Sequence, residues 1–232
     1  HRQCYHIKDH GGLKQAVRDT KAALTGYRFV FKSDIKGYYA SIDHDVLCDD
    51  VKRLTGNKEF TRLLRSSLEA PSTWGGLYYD HKQGISRGSP LSPLLGAIAL
   101  NPLDHAMTEI KGVFYARYMD DWVVLCKTRH QLRNVIKRTY QVLEKLKLKI
   151  HPDKTYIGKI EKGFDFLGYH FKPNTLRVAT VTLERALTKL RQLYEQGATI
   201  NRLAQYWKRF LQWVQGSVKE LLDDRHWIGG RR

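Results

Sequence analysis

The sequence has few cysteines and no long apolar stretch. Its three cysteines, Cys4, Cys48 and Cys126, are odd in number and far apart. This pattern argues against a disulfide framework and favours reduced thiols, which are typical of the cytoplasm. No segment approaches the ~20 apolar residues that a membrane-spanning helix needs, and no basic-then-apolar signal segment opens the chain. We therefore predict a cytoplasmic protein with no membrane partner.

Acidic residues are also scarce relative to basic ones. The chain has 40 Lys and Arg against 23 Asp and Glu, which gives a formal net charge of +17. This excess favours a polyanionic partner such as nucleic acid, although a basic surface can also serve solubility alone. Because 42% of the 232 residues are hydrophobic, the chain can bury a core and a disordered protein is excluded.

Hydrophobic periodicity predicts a mixture of helices and strands. We expect Asp43 to cap a helix that begins at His44, and Pro102 to kink a longer helix. The other predicted elements are a strand at 27–35, a helix at 93–107, a hairpin at 114–126, a helix at 130–146, and strands at 77–81, 154–160 and 164–171. This order predicts an α+β fold in which helices pack on one face of a sheet.

The segment 173–232 differs in character from the rest of the chain. Apolar residues recur at helical spacing in two stripes, Leu183 to Tyr194 and Leu203 to Val214. The segment contains 11 Lys and Arg and five Asp and Glu. We predict a small basic helical subdomain whose aromatic residues pack in a core rather than stack on bases.

Three aspartates are candidates for a metal site. Asp120 and Asp121 stand at the predicted hairpin turn beside bulky Met119 and Trp122, where turn chemistry would favour Gly or Asn. Asp34 ends the first predicted strand, which could lie beside the hairpin in one sheet. Three carboxylates in one place would repel one another unless divalent cations neutralised them, and Mg²⁺ prefers oxygen ligands. An ordinary Asp-rich turn is the alternative.

Five segments, taken in order, resemble the palm of bacterial reverse transcriptases. They are SDIKGYYASIDHDVL, GISRGSPLSPLLGAIALNPLD, RYMDDWVVL, LKIHPDKT and FDFLGYHF. Their order and spacing are similar to those of group II intron maturases, retron enzymes and diversity-generating enzymes. The resemblance implies an RNA-directed DNA polymerase with a palm-type antiparallel sheet. It divides the chain into a remnant of the fingers at 1–26, a palm at 27–172 and a thumb-like subdomain at 173–232.

The resemblance also assigns catalytic roles. It implies that Asp34, Asp120 and Asp121 hold two divalent ions, Mg²⁺ or alternatively Mn²⁺, and that the Ile35 carbonyl completes one shell. One ion would activate the primer 3′-hydroxyl, and the other would hold the triphosphate and the leaving pyrophosphate. Lys154 matches a lysine near the departing pyrophosphate, where a cation neutralises developing charge. A solvated lysine at the end of a strand is the alternative.

Two further segments match nucleotide contacts. Tyr39 matches the aromatic gate that excludes a ribose 2′-hydroxyl, and Tyr38 is expected in the core because alternation would send the two rings to opposite faces. Arg87 and Gly88 lie in the nucleotide-contact loop, where Ser-Arg-Gly replaces the Pro-Gln-Gly of the family. Arg87 would then contact the triphosphate or the template, and Gly88 would let the backbone approach the base pair.

The remaining implications concern the primer and the partners. Leu167 and Gly168 match the hydrophobic primer grip of the family. The implied partners are an RNA template, a DNA or RNA primer and deoxynucleoside triphosphates. A non-catalytic RNA-binding module of maturase type is the first alternative. RNA-templated RNA synthesis or untemplated terminal transfer is the second.

The N-terminal segment offers weaker candidates. The chain opens on His1 rather than Met, and we expect an N-terminally incomplete protein that lacks most of the fingers. Cys4, His6 and His10 have a spacing that zinc could accept, but no fourth ligand is near in sequence, so a structural segment is favoured. The basic residues that could substitute for the missing triphosphate ligands are Arg18, Lys21 and Arg28.

Overall fold

The computed structural model of the chain describes residues 1–79, 81 and 83–222. The helices are α1 (Gly12–Ala23), α2 (Tyr38–Ser41), α3 (His44–Thr55), α4 (Lys58–Glu69), α5 (Ser92–Ala99), α6 (Asn101–Thr108), α7 (Arg129–Lys145), α8 (Thr180–Glu195) and α9 (Ile200–Gln215). The strands are β1 (Phe29–Ser33), β2 (Ser72–Trp74), β3 (Leu77–Tyr79), β4 (Val113–Tyr118), β5 (Asp121–Cys126), β6 (Tyr156–Lys159), β7 (Phe164–Phe166), β8 (Tyr169–Lys172) and β9 (Thr175–Val178). The predicted α+β class is confirmed.

An antiparallel sheet with the strand order β4-β5-β1-β6 forms the centre of the fold. β1 pairs with β5 from Phe29 opposite Cys126 to Ser33 opposite Trp122. Continuing this register by one residue brings Asp34 opposite Asp121. The expectation that the first strand and the hairpin share one sheet is therefore confirmed.

Successive residues of the central strands face two different cores. Phe31 and Val124 face a core that contains α3, α5, α6 and α7, so the helices predicted on one face are present. Val30 and Val123 face a second core that contains α1 and the strands β7 to β9. Burial on both faces explains why β5 reads as an unbroken apolar run rather than an alternating one. Each such buried side chain contributes about 1.5–3 kcal/mol.

Two predicted elements are built differently. The predicted kinked helix is divided, because α5 ends at Ala99 and α6 begins at Asn101 with Pro102 in its first turn. Proline has no N–H to donate, and the first turn of a helix is where that donor is not needed. The segment 164–171 is a hairpin rather than one strand, and with β9 it forms a separate sheet.

Side chains cap the N-termini of α3 and α7, and the cap of α3 is the one that the sequence predicts. The Asp43 side chain accepts the Val46 N–H at 3.0 Å. At the start of α7, Thr128 and Gln131 form a reciprocal capping box. Apolar residues recur at roughly helical spacing from Leu132 to Leu143 in α7, but Tyr140 among them is exposed. The buried position next to it is held by Thr139.

The helices α8 and α9 confirm the helical character of the C-terminal segment, although Tyr194 of the first stripe is 71% exposed. The ring of Trp213 stacks on Tyr169 of β8. Lys14 of α1 also contacts both rings, with its Nζ 4.7 Å from the Tyr169 centroid and 4.5 Å from the Trp213 centroid. The subdomain boundaries stay predictions, and residues 223–232 and residue 80 of the predicted strand 77–81 lie outside the described residues.

Two predictions from composition can be compared with the structure. Cys4, Cys48 and Cys126 are buried free thiols. Burial raises the pKa of Cys4 to about 11 and that of Cys126 to about 12, so both stay protonated at neutral pH. Across the described part of the chain, every helix is too short or too polar to cross a membrane.

Candidate active site

The two adjacent aspartates lie where β4 turns into β5. Tyr118 pairs with Asp121, so the turn itself contains only Met119 and Asp120. Met119 has a φ of 58°. A residue other than glycine in this left-handed region costs about 1–3 kcal/mol and occurs mainly where function requires a fixed backbone. The tight turn predicted for this segment is present, and it brings both carboxyl groups to one end of the sheet.

Asp34 follows β1 directly and is 7% exposed. Its Oδ2 accepts a hydrogen bond from Lys154 Nζ at 2.5 Å, and its carbonyl accepts the His151 N–H at 2.8 Å. Its Oδ1 is buried and has no hydrogen-bond partner among the described residues. A buried carboxylate oxygen without a donor is costly. Asp34 therefore retains the capacity to accept a donor or a cation.

The charge of Asp34 is near enough to contribute to raised pKa values at Asp120 and Asp121. Burial is the main reason that the pKa of Asp121 rises to about 7, and the charges of Asp34 and Asp120 add to the rise. Burial also raises the pKa of Asp120, and Asp34 again adds to it. Lys154 opposes both shifts. Lys32 opposes the rise at Asp121 and Arg117 opposes the rise at Asp120, so the acids and these cations form one electrostatic unit.

The site fits divalent ions in part. Oδ1 of Asp34 and Oδ1 of Asp121 are both buried without a hydrogen-bond partner, and hard oxygen ligands suit Mg²⁺ and Mn²⁺. Yet among the residues described, no three His, Cys, Asp or Glu side chains converge closely enough to hold an ion as they stand. The Lys154 ammonium lies against Asp34, where it supplies positive charge. Ion binding by all three acids would require Lys154 to move away from Asp34.

A cavity of about 640 Å³ opens beside Asp120, and its lining includes Lys154, the partner of Asp34. A volume of this size is typical of small-ligand sites, which span about 300–1,000 Å³. The predicted site residues on its wall are Ile35, Tyr39, Arg87, Gly88, Asp120 and Lys154. The structure thus brings together predicted site residues from four separate segments of the chain.

The two tyrosines are arranged differently from the prediction. They lie in the short helix α2, so the expectation of opposite faces of a strand is wrong, and their ring centroids are 5.4 Å apart. Tyr38 is buried as expected, and its hydroxyl donates to the Gly96 carbonyl. Tyr39 is half-buried at the cavity, and burial together with the Asp120 charge raises its pKa. A Cβ on Gly96 would lie 3.2 Å from the Tyr38 ring and 3.4 Å from the Tyr39 ring, so glycine makes room for both.

The loop before α5 carries Arg87 and Gly88. The Ser92 hydroxyl donates to the Ser86 carbonyl. The Ile85 N–H donates to the Tyr39 carbonyl at 2.7 Å. These bonds tie the loop to both α5 and α2. Gly88 has a φ of 94°, and the exposed Arg87 lies at the cavity mouth, where a guanidinium can reach a phosphate.

The predicted primer grip is a tight turn between β7 and β8. Leu167 and Gly168 have φ values of 49° and 84°, the pattern of a type I′ hairpin turn. A Cβ on Gly168 would lie 2.8 Å from the Trp213 ring, so the glycine allows α9 to pack closely. Trp213 therefore makes the close approach that the sequence assigned to the primer. The primer contact itself stays a prediction.

The N-terminal candidates have other contacts. His6 and His10 each bond a main-chain carbonyl, and no metal cluster with Cys4 is present in the described ranges. Lys21 Nζ donates to two carbonyls of the β8–β9 connection at 2.9 and 2.8 Å. The Lys21 ammonium is therefore engaged in closing that connection, whereas Arg28 is exposed, and a triphosphate contact by either residue stays a prediction.

Sequence reasoning missed the residues that support the Met119–Asp120 turn. Arg117 is fully buried, and its Nη1 donates to the Met119 carbonyl at 2.7 Å. Its Nε and Nη2 donate to Asp104 at 2.6 and 2.5 Å. On the other side, the Met119 N–H donates to His6 Nδ1 at 2.9 Å. The available sequence signal was an arginine inside an apolar strand, since a buried arginine needs a partner.

Comparison of the sequence with known proteins agrees with this geometry. The family model described as reverse transcriptase (RNA-dependent DNA polymerase) matches residues 1–171. Protein YkfC of Escherichia coli (strain K12) is 27% identical over 231 residues, which cover 80% of this chain and 61% of YkfC. Group II intron-encoded protein LtrA of Lactococcus lactis subsp. cremoris is 28% identical over 131 residues, which cover 56% of this chain and 21% of LtrA. The chain thus spans less than two thirds of the length of these relatives.

Solved structures share the fold at low sequence identity. Apo telomerase from Candida tropicalis, truncated from its C-terminal domain, matches with a TM-score of 0.63 and 14% identity over 77% of this chain and 41% of its own. Telomerase from Candida albicans with the TWJ fragment of telomeric RNA matches with a TM-score of 0.60 and 15% identity over 94% of this chain and 43% of its own. These likenesses establish the fold alone. Because the family match extends over well more than half of the residues, the chain belongs to the reverse transcriptase (RNA-dependent DNA polymerase) family.

Proposed function

We propose that the chain is the palm-containing part of an RNA-directed DNA polymerase that adds deoxynucleotides to a primer 3′-hydroxyl. The observation that carries the proposal is the electrostatic unit formed by Asp34, Asp120 and Asp121 beside a nucleotide-sized cavity. When bound, two divalent ions, Mg²⁺ or Mn²⁺, would activate the hydroxyl and stabilise the charge on the transferring phosphate. The chemistry requires no covalent intermediate on the protein.

The residues around the cavity have distinct roles in this proposal. The unpartnered oxygens of Asp34 and Asp121 supply ligand capacity, and the Ile35 carbonyl is the proposed main-chain ligand. Lys154 leaves Asp34 and places its ammonium near the departing pyrophosphate, where it neutralises charge. Arg87 at the cavity mouth contacts the triphosphate or the template. In this proposal Lys154 pairs with Asp34 in the metal-free protein and neutralises the pyrophosphate during the reaction.

The proposed binding partners are inferred from the net charge and from the family of the chain. An RNA template, a DNA or RNA primer and deoxynucleoside triphosphates are all polyanions, and the net charge of +17 favours their binding. Leu167 and Gly168 are proposed to lie near the primer. The similarity to a group II intron-encoded protein supports an origin in a mobile or retron-like bacterial element. The buried free thiols agree with a cytoplasmic location.

Primer extension tests the proposal. A DNA primer annealed to RNA is incubated with the protein, deoxynucleotides and Mg²⁺ or Mn²⁺, and the products are sized on a gel. We expect templated extension that stops when EDTA is added. Absence of extension in both metals, with salt-sensitive RNA binding intact, would favour the non-catalytic RNA-binding module. Extension that ignores the template sequence would indicate terminal transfer.

Tyr39 provides a test of sugar choice. We expect Tyr39→Ala to improve the incorporation of ribonucleotides relative to deoxynucleotides by at least about 10-fold, equivalent to about 1.4 kcal/mol. The reason is that the half-buried ring narrows the cavity beside Asp120. The measurement is the ratio of kcat/KM for the two kinds of nucleotide. Tyr39→Phe keeps the ring and should keep the discrimination of the unaltered protein, so equal relaxation in both variants would contradict a steric gate.

A further inference from the structure

The main chain of Met119 is held on both sides. Its N–H donates to His6 Nδ1 at 2.9 Å, and its carbonyl accepts from Arg117 Nη1 at 2.7 Å. Met119 is the strained residue of the turn, with a φ of 58°, and it precedes Asp120. Two bonds thus fix the two peptide groups that determine where the next carboxylates point.

Arg117 is itself fixed from the helical side of the sheet. It is fully buried, and Asp104 of α6 binds it through both carboxylate oxygens. The Tyr115 hydroxyl donates to the same carboxylate at 2.8 Å, and Arg117 Nη2 also reaches the Ala97 carbonyl at 3.3 Å. A planar guanidinium held by this many bonds has little freedom. Arg117 therefore links Asp104 of α6 to the Met119 carbonyl of the turn.

The His6 ring is fixed by groups that leave it one protonation state. The Met119 N–H is only a donor, so Nδ1 must be the acceptor and carry no proton. The Pro93 carbonyl is only an acceptor, so Nε2, at 3.1 Å, must carry the proton. Burial lowers the pKa of His6, which agrees with a neutral ring. Two backbone groups thus set the tautomer as well as the orientation.

The segment that carries His6 is attached to the edge of β4. The Tyr5 N–H donates to the Arg117 carbonyl at 2.8 Å, and the Arg117 N–H donates to the Gln3 carbonyl at 2.9 Å. Cys4 forms a parallel bridge with Arg117. The Tyr5 hydroxyl also bonds Asp19 of α1 at 2.6 Å. His6 is therefore held near the turn by a short segment that pairs with β4 and also bonds α1.

We propose that His6 and Arg117 are positioning residues that hold the Met119–Asp120 turn in the geometry that nucleotide addition requires. The proposal rests on the function proposed above and adds a role for the N-terminal segment. Without these bonds the strained turn can relax by rotating a peptide group, and both following carboxylates would move. Displacements of about 1 Å can cost on the order of 100-fold in rate.

The experiment compares three variants of the whole chain. His6→Phe keeps a ring but removes the bonds to Met119 and Pro93 and the 3.4 Å bond between Nδ1 and Cys4 Sγ, whereas His6→Asn keeps an acceptor near the position of Nδ1. His10→Phe is the matched control, because the His10 ring lies in the same segment and bonds the Cys4 carbonyl at 3.0 Å rather than a group of the turn. Exchange of the Met119 amide hydrogen reports on the turn directly. Primer extension gives kcat and KM for deoxynucleotides and the Mg²⁺ concentration for half-maximal rate.

We expect His6→Phe to speed amide exchange at Met119 by at least about 10-fold. We also expect it to lower kcat by about 10- to 100-fold and to raise the Mg²⁺ requirement. KM should change less than about three-fold, since the cavity wall keeps its residues. His6→Asn should recover part of both losses, and His10→Phe should resemble the unaltered protein.

Several results would overturn the inference. Unchanged exchange in His6→Phe would show that the ring does not hold the turn. Faster exchange with an unchanged kcat would show that the turn needs no support for catalysis. General unfolding would instead speed amide exchange throughout β4, and it would do so in His10→Phe as well. If the unaltered protein does not extend primers, the proposed function fails separately, and amide exchange together with calorimetric Mn²⁺ binding then decides whether His6 positions the acids.

Discussion

Asp121→Asn is expected to reduce primer extension by more than about 100-fold, because it removes a proposed metal ligand. The same change is expected to stabilise the metal-free protein. Burial and the charges of Asp34 and Asp120 raise the pKa of Asp121 to about 7, from an ordinary value of 3.8. Its ionised form is therefore disfavoured in the folded state. Loss of activity with a gain in stability distinguishes a functional acid from a structural one.

The pH dependence of this gain has a definite sign. Below about pH 4, Asp121 is protonated in both the folded and the unfolded state, so it costs nothing. As the pH rises toward 7 the unfolded state ionises first, and the unaltered protein loses stability relative to the variant. Above that the difference is constant, and we expect it to reach roughly 4 kcal/mol, because each pKa unit corresponds to about 1.4 kcal/mol.

Urea unfolding in EDTA between pH 4 and pH 8 measures this difference. Asp153→Asn is the matched control, because Asp153 is close in sequence to Lys154 but its side chain is 88% exposed. We expect Asp153→Asn to keep both primer extension and stability. If Asp121→Asn were instead destabilising at pH 8 while primer extension survived, the carboxylate would be a structural group and the metal-site proposal would fail.

Asp104→Asn is expected to destabilise the protein by about 3–5 kcal/mol, since it leaves the Arg117 charge buried without its partner. Both side chains of this ion pair are almost completely buried, at 0% and 1% exposure. Burial opposes the Arg117 charge, but the hydrogen bonds and charge of Asp104 raise its pKa overall. The measurement is the free energy of unfolding in urea at pH 7.

Glu109→Gln is the matched control for this prediction. Glu109 follows the C-terminus of the same helix, α6, and pairs with Arg138 at 3.0 Å, but both side chains are exposed. Exposed ion pairs contribute about 0–1 kcal/mol. Equal effects of the two amide substitutions would show that the buried pair is not the anchor of the turn.

The parts of the fold that the sequence predicted are those governed by local patterns. The strand before Asp34, the hairpin around Asp120 and the cap at Asp43 each depend on neighbouring residues. The proximity of Asp34 to the hairpin could also be anticipated, because strands of one sheet bring their ends together. The structure confirms these elements, while the chemical roles of the acids stay proposals.

The parts that the sequence did not predict depend on contacts between distant residues. The break at Leu100 separates α5 from α6. The hairpin at Leu167 requires a positive φ, which leucine rarely adopts. The neighbours of Met119 come from the start of the chain and from α6, and no local pattern pairs His6 with Met119. Likewise, only the tertiary structure shows that Gly168 makes room for Trp213.

The position of Lys14 between Tyr169 and Trp213 has a consequence for how the chain folds. Its ammonium donates to the Tyr169 hydroxyl and to the main-chain carbonyl of Trp213, a residue 199 positions later. Contacts of such long sequence separation form late and slow the folding of a domain. During synthesis, α1 can therefore be fully buried only after α9 has left the ribosome. Because Tyr5 of the His6 segment bonds Asp19 of α1, we expect the candidate site to be fully supported only after α9 has been synthesised.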